Sequence, residues 1–271
     1  MTTTNPTALF PWNDFPPLSS HELTLGASVP AFDEWLRARA RLAKFAAHTT
    51  AATAALATRA ALGRASYRAS ALTANRWART VLDSLQVDVR LVGPTPPRGS
   101  LIVANHRSYV DIAAVLAAAP AIFLAKVQIG GWPILGLGAR IGHTIFVTRE
   151  DAASRKAAVA SMRRVLAHDE SVALFPEGTT SDLPGMLPFH PGSFRMAAED
   201  GRRVVPIAIR YPHREDCWIG DESFVSHFLR RAGRRDQRVS LVIGAPITSS
   251  DAHQLQTQAE DFILAHIGGK R

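Results

Sequence analysis

From Val87 onward, short apolar runs rich in β-branched residues alternate with stretches of helical texture, and this alternation restricts the fold more than any other feature of the chain. Val87 to Val92, Ser100 to Ala104, Ala121 to Ala125, Ile145 to Val147, Val172 to Phe175, Val204 to Ile209 and Val239 to Ile243 have the length and composition of strands. Residues 110 to 118, Ala152 to Ala167 and Gln254 to Ile267 read as helices between and after them. Apolar runs without strict alternation suit strands covered on both faces, so residues 86–271 are expected to form an α/β domain with a largely covered sheet. This pattern does not order the strands.

Ahead of Val87 the texture is different. Residues 1–28 contain Pro, Thr and Ser and are expected to be irregular, with Phe10, Trp12 and Phe15 available for local packing. They lack the basic segment and apolar run of a signal peptide. Residues 29–85 are dominated by Ala, Arg and Leu, which predicts two long helices, or one interrupted near Gly63. Arg37, Arg39, Arg41, Arg59, Arg64, Arg68, Arg76 and Arg79 recur there beside Trp35, Leu36, Phe45, Leu62, Trp77 and Leu82. Such a basic pair with interfacial aromatics is suited to lying on anionic lipid, and equally to forming a layer on the following domain; the two can hold on different faces. The longest uncharged stretches, Phe45 to Thr58 and Ile112 to Ala125, fall short of the roughly 18 apolar residues a spanning helix needs, so attachment is expected at a membrane face.

Charge narrows the partners without selecting one. Thirty-one Lys and Arg against 23 Asp and Glu give a formal charge of +8, which favours anionic lipid, nucleic acid or an acidic cofactor alike. A nucleic-acid module is disfavoured because the chain has neither zinc-finger spacing, nor an aromatic RNA-binding strand pair, nor a convincing recognition helix. With Cys217 the single cysteine, an internal disulfide and a cysteine metal cluster are excluded. His106, Asp111 and His143 are conceivable zinc ligands, but no short helical histidine pair accompanies them.

Three segments carry residues suited to chemistry. Asn105-His106-Arg107-Ser108-Tyr109-Val110-Asp111 directly follows a strand. A histidine there is suited to proton abstraction, and Asp111 in the first turn of the next helix is placed to orient it, with Ser108 as a candidate cap. A structural or exposed loop histidine is the alternative. Phe175-Pro176-Glu177-Gly178-Thr179-Thr180-Ser181 also follows a strand, and its glycine and hydroxyls allow a donor-rich turn able to receive negative charge, or an ordinary strand-end turn. In Gly142 to Arg149 an arginine emerges from a strand, where its planar fork suits phosphate, carboxylate or a surface salt bridge. Lys126, after Phe123-Leu124-Ala125, has a similar position.

Taken together, these blocks resemble the glycerolipid acyltransferase family, particularly bacterial 1-acylglycerol-3-phosphate and lyso-ornithine lipid acyltransferases. Asn105 through Asp111 matches the first block, Gly142, Phe146 and Arg149 the second, Phe175 through Ser181 the third, and Val205-Pro206-Ile207 the fourth, over roughly residues 85 to 250. His143 within the second block and His190-Pro191-Gly192-Ser193 before Phe194-Arg195 depart from the pattern and bear on the acceptor. The resemblance implies a single acyltransferase domain with a mixed sheet and an N-terminal membrane-associating element. It also implies His106 as general base, Asp111 as its orienting partner, and an acceptor site formed by Lys126, Arg149, Glu177, Gly178 and Thr179.

The expected reaction moves a fatty acyl group from acyl-CoA or acyl-carrier protein to the free hydroxyl of 1-acylglycerol-3-phosphate, giving phosphatidate. Lyso-ornithine lipid or another lysolipid is the alternative acceptor, and a non-catalytic membrane-binding protein on the same scaffold the alternative function. No metal and no permanently bound cofactor is expected. No covalent acyl-enzyme is expected either, since Cys217 lies outside the motifs and the serines lack a nucleophile turn. The implied place is the cytoplasmic face of the inner or plasma membrane, peripheral or monotopic.

Overall fold

The computed structural model describes residues 32–268; the expectation of an irregular segment over residues 1–28 lies outside them. Two helices open the described chain, α1 (Phe32–Ala61) and α2 (Tyr67–Ser84). They break at Gly63, whose φ of +64° is a conformation that side chains with a Cβ rarely adopt. Ser66 caps α2 by accepting from Ala69 N–H. Along α1, Ala38, Arg41, Thr49 and Thr53 are buried at helical spacing, while Phe32, Trp35 and Leu36 remain exposed. The inward stripe packs against α2, α4 (Leu135–Ile141) and α7 (Phe224–Gly233). Buried Arg41 ties this layer down through the carbonyls of Ala232 (2.8 Å) and Arg234 (2.6 Å).

Seven strands follow: β1 (Asp88–Val92), β2 (Leu101–Ala104), β3 (Ala121–Lys126), β4 (Ile145–Val147), β5 (Ser171–Leu174), β6 (Val204–Arg210) and β7 (Arg238–Ile243). They form one mixed sheet in the order β1-β7-β6-β2-β5-β3-β4, in which only the β6–β7 pair is antiparallel. The five strands from β6 to β4 therefore run one way, and their C-terminal ends line a single border of the sheet. Central strands β2 and β5 are buried throughout. On β2, Ile102 and Ala104 join the core beneath α2, α3 (Val110–Ala118) and α7. Leu101 and Val103 face the opposite core, beneath α5 (Ala152–Ala167) and α8 (Ala252–Ile267). This period-two sorting covers both faces, with each fully buried Leu or Ile contributing about 1.5–3 kcal/mol.

Asp151 and Asp251 cap α5 and α8 by accepting N–H groups of the first turn, which starts α8 at Ala252, two residues ahead of the sequence expectation. Helices α4, α6 (Gly192–Glu199) and α7 were not anticipated. Two are short and glycine-bearing. The third buries His227 and Arg231, polar residues that mask its inward face.

Candidate active site

β2 ends at Ala104, and its pairing with β6 ends where Ala104 meets Ile207. The Asn105 side chain extends the ladder: Nδ2 donates to Ile209 O at 2.9 Å and Oδ1 accepts from Ile209 N–H at 2.7 Å. Fixed in this way, the chain turns sharply and presents His106 at the strand border, where open α/β sheets place their ligands.

Asp111 enters from the first turn of α3 and is wholly buried. Its Oδ2 accepts from His106 Nδ1 at 2.9 Å, Arg107 N–H at 2.6 Å and Ser108 N–H at 2.8 Å. The carboxylate, then, organises the start of α3; Ser108 Oγ makes only a 3.5 Å contact with Val110 N–H, so the expected serine cap is replaced by the aspartate. With Nδ1 directed at the carboxylate, Nε2 is the nitrogen that faces away from it and carries no hydrogen bond among the described residues. Phe175, directly after β5, stacks on the imidazole with centroids 3.9 Å apart and planes 5° from parallel. One face of the ring is closed off and its rotation is restricted, while the side chain keeps 15% of its exposure.

Glu177 braces the same turn from the neighbouring strand. One oxygen accepts from His106 N–H at 2.6 Å, and the other from Leu187 N–H at 2.7 Å. Burial pushes its carboxyl above the usual range, against the opposing pull of those two N–H groups and of Arg107. Arg107 turns inward as well, donating from Nη1 to Ser181 O at 2.9 Å and from Nη2 to Gly185 O. Ser181 N–H donates to His106 O at 3.1 Å, and Trp218 N–H to Arg107 O at 2.8 Å. Loops 105–111, 175–187 and 211–222 are thereby stitched into one unit.

The residues expected at an acceptor site are placed unequally. Gly178 has φ +80°, and a Cβ there would lie 3.3 Å from the His190 ring and 3.6 Å from Arg149 Nε. Glycine therefore lets an imidazole and a guanidinium converge beside the Glu177 turn. Arg149 is partly buried at the end of β4, and desolvation lowers its proton affinity, opposed by Glu150. Thr179 is exposed, as is Lys126 at the end of β3. The Glu177 carboxylate faces backbone N–H groups in the motif loops rather than open space. His143, held at φ +62°, turns to α2, with Nδ1 2.8 Å from Ser70 Oγ.

Sequence reasoning missed Tyr211, whose hydroxyl donates to Asp111 Oδ1 at 2.5 Å across 100 residues of chain. Its place four residues beyond the fourth block was the only available signal. Cys217 is buried, and burial pushes its thiol up to about 12, far from a thiolate at neutral pH.

A sequence profile of the family described as Acyltransferase matches residues 86–210. The lyso-ornithine lipid O-acyltransferase of Pseudomonas aeruginosa is 31% identical over 200 residues, covering 71% of this chain and 77% of that protein. The 1-acyl-sn-glycerol-3-phosphate acyltransferase of Neisseria meningitidis serogroup B is 35% identical over 135 residues, 49% of this chain and 53% of that one. The crystal structure of the 1-acyl-sn-glycerophosphate acyltransferase PlsC from Thermotoga maritima matches with a TM-score of 0.67 over 87% of this chain and 95% of that one. At 20% identity that match speaks for the fold alone.

Proposed function

This chain belongs to the acyltransferase family, and on that premise we propose that it transfers a fatty acyl group from acyl-CoA or acyl-carrier protein to the free hydroxyl of 1-acylglycerol-3-phosphate. The observation that carries the reading is the His106–Asp111 pair, with Nδ1 on a fully buried carboxylate and Nε2 free at the strand border. Nε2 takes the hydroxyl proton as the oxygen attacks the thioester carbonyl, and Asp111 stabilises the imidazolium. The C–O bond forms, the C–S bond breaks, and the thiolate leaves with the proton that Nε2 returns. Glu177 acts here by holding His106 N–H. Arg149, beside Gly178 and His190, is the cation for the acceptor head group, with Lys126 and Thr179 at its exposed rim.

Lyso-ornithine lipid is the second acceptor reading, favoured by the longer match to the Pseudomonas relative, 71% of this chain against 49% for the Neisseria protein. An arginine fork takes its carboxylate as readily as a phosphate. No described helix is long and apolar enough to cross a membrane. The exposed Phe32, Trp35 and Leu36, with Arg39 lying 4.1 Å over the Trp35 ring, support α1 as an element resting on an anionic membrane surface.

The test is thiol release by purified protein with acyl-CoA or acyl-carrier protein and each lysolipid in turn, the lipid product being identified by mass. Diacyl product that disappears in His106→Ala is expected. Product that persists in that variant overturns the mechanism, and no product with any acceptor makes a binding protein the better reading.

A further inference from the structure

Behind His106 lies a tier of buried polar groups that the proton transfer does not touch. Tyr211 stands directly after β6, buried, and is the one described group that hydrogen-bonds Asp111 Oδ1. The three donors on Oδ2 come from the turn that Asp111 itself organises, whereas Tyr211 reaches it from a different strand. The phenol is itself held in place, because the guanidinium of Arg231 sits 4.8 Å from its ring centroid. Arg231 is fixed by Gln237 Oε1 at 3.3 Å and Asp216 O at 3.1 Å. Burial, reinforced by Asp111, raises the phenol well above its ordinary range, so it gives a hydrogen bond without losing its proton.

We propose that Tyr211 is a positioning residue for the acyl-transfer reaction: its hydroxyl anchors the second oxygen of the Asp111 carboxylate and draws off negative charge, tuning the proton affinity of His106. The inference rests on the general-base reading of His106. With Oδ2 already held by three donors, the Tyr211 hydroxyl adds a second anchor on the other oxygen, and a buried charge-assisted hydrogen bond of this kind both stiffens the carboxylate and takes up part of its charge. The other charged or titratable groups facing this centre are Arg107 and Tyr109 from the motif loop, Glu177 from the loop after β5, Asp216 and Cys217 from the loop after β6, and His227 and Arg231 from α7. None of them hydrogen-bonds Oδ1.

Tyr211→Phe keeps the ring and its place against Arg231 and removes one oxygen. Expected are a fall in kcat of about 10- to 100-fold, KM values for both substrates within about twofold, and an acid limb of kcat/KM moved up by about half a pH unit or more. The direction follows because the imidazolium then faces a more negative carboxylate. The 15N NMR titration of His106, assigned by its loss in His106→Gln, should move the same way. Tyr211 replaced by 3-fluorotyrosine, a stronger donor, should move it down, and serves also if the phenylalanine variant does not fold. An unshifted titration overturns the inference whatever kcat does, since lost activity or a lower Tm alone would mark a purely structural role. The titration needs no turnover, so wild-type protein inactive on every lysolipid would sink the functional reading while the Tyr211 inference is still decided by NMR.

Discussion

The His106 loop and the Arg149 rim both lie at the C-terminal ends of parallel strands, yet they are built on opposite rules. Around His106 nearly every polar atom is committed: Asp111 to four donors, Glu177 to two backbone N–H groups, Arg107 to carbonyls of the facing loop. Around Arg149 the side chains are half-buried or exposed, and a glycine leaves room where another residue would bring a Cβ. Proton transfer needs a base already aimed, because reorganisation at the moment of reaction adds to the barrier. Recognition of a lipid head group tolerates adjustment. On the proposed reading, the contrast assigns reaction type to the loop and acceptor choice to the rim.

The largest expected effect tests the loop. His106→Ala should lower turnover by about 10³-fold or more with the thermal unfolding midpoint little changed, a comparison made by thiol release and calorimetry on the same preparation. A loss below tenfold would mean that the committed loop is not where the chemistry happens. Next comes the rim: Arg149→Lys should raise the acceptor KM by about tenfold, because an ammonium does not replace a planar fork, while kcat stays within about threefold. A fall in kcat without change in KM would erase the division between the two regions.

A third prediction sharpens the loop side through pH. His227 contacts Tyr109 OH at 3.2 Å and Cys217 O at 3.1 Å, and burial, aided by Arg230, lowers its pKa from 6.5 to about 4. The folded state therefore favours the neutral ring. That stability is present above about pH 6.5 and is lost as pH falls toward about 4. Urea midpoints measured across this range should decline on acidification, and His227→Gln should flatten the slope; parallel slopes would remove His227 from the support of the loop. The smallest effect is expected far from both regions. Trp35→Ser should weaken sedimentation with anionic liposomes by a few-fold at unchanged turnover on dispersed substrate.

Much of the α/β frame was legible because its information is local. The β-branched runs mark the strands within a few residues of where they form. Helices α4 and α6 escaped because glycines at 136, 138 and 192 blur a pattern of only two turns. Strand order was unreadable, since the pairing of β2 with both β5 and β6 is decided by covering two faces at once. In the site, His106 and Asp111 stand five residues apart and could be paired on paper. The inward turn of Glu177 and the approach of Tyr211 depend on contacts across 71 and 100 residues, which no local pattern records.

The Asn105 amide has a consequence for how such a chain is made. It stands in for a backbone partner of Ile209, 104 residues later, and the residue after it is His106. A chain emerging from the ribosome therefore has β2, α3 and β5 well before it has the segment that anchors Asn105 and, next to it, His106. Non-local pairing of this kind is slow to close. On the proposed reading, the site stays incomplete until β6 has docked. Recovery of activity during refolding becomes a clock for the docking of β6.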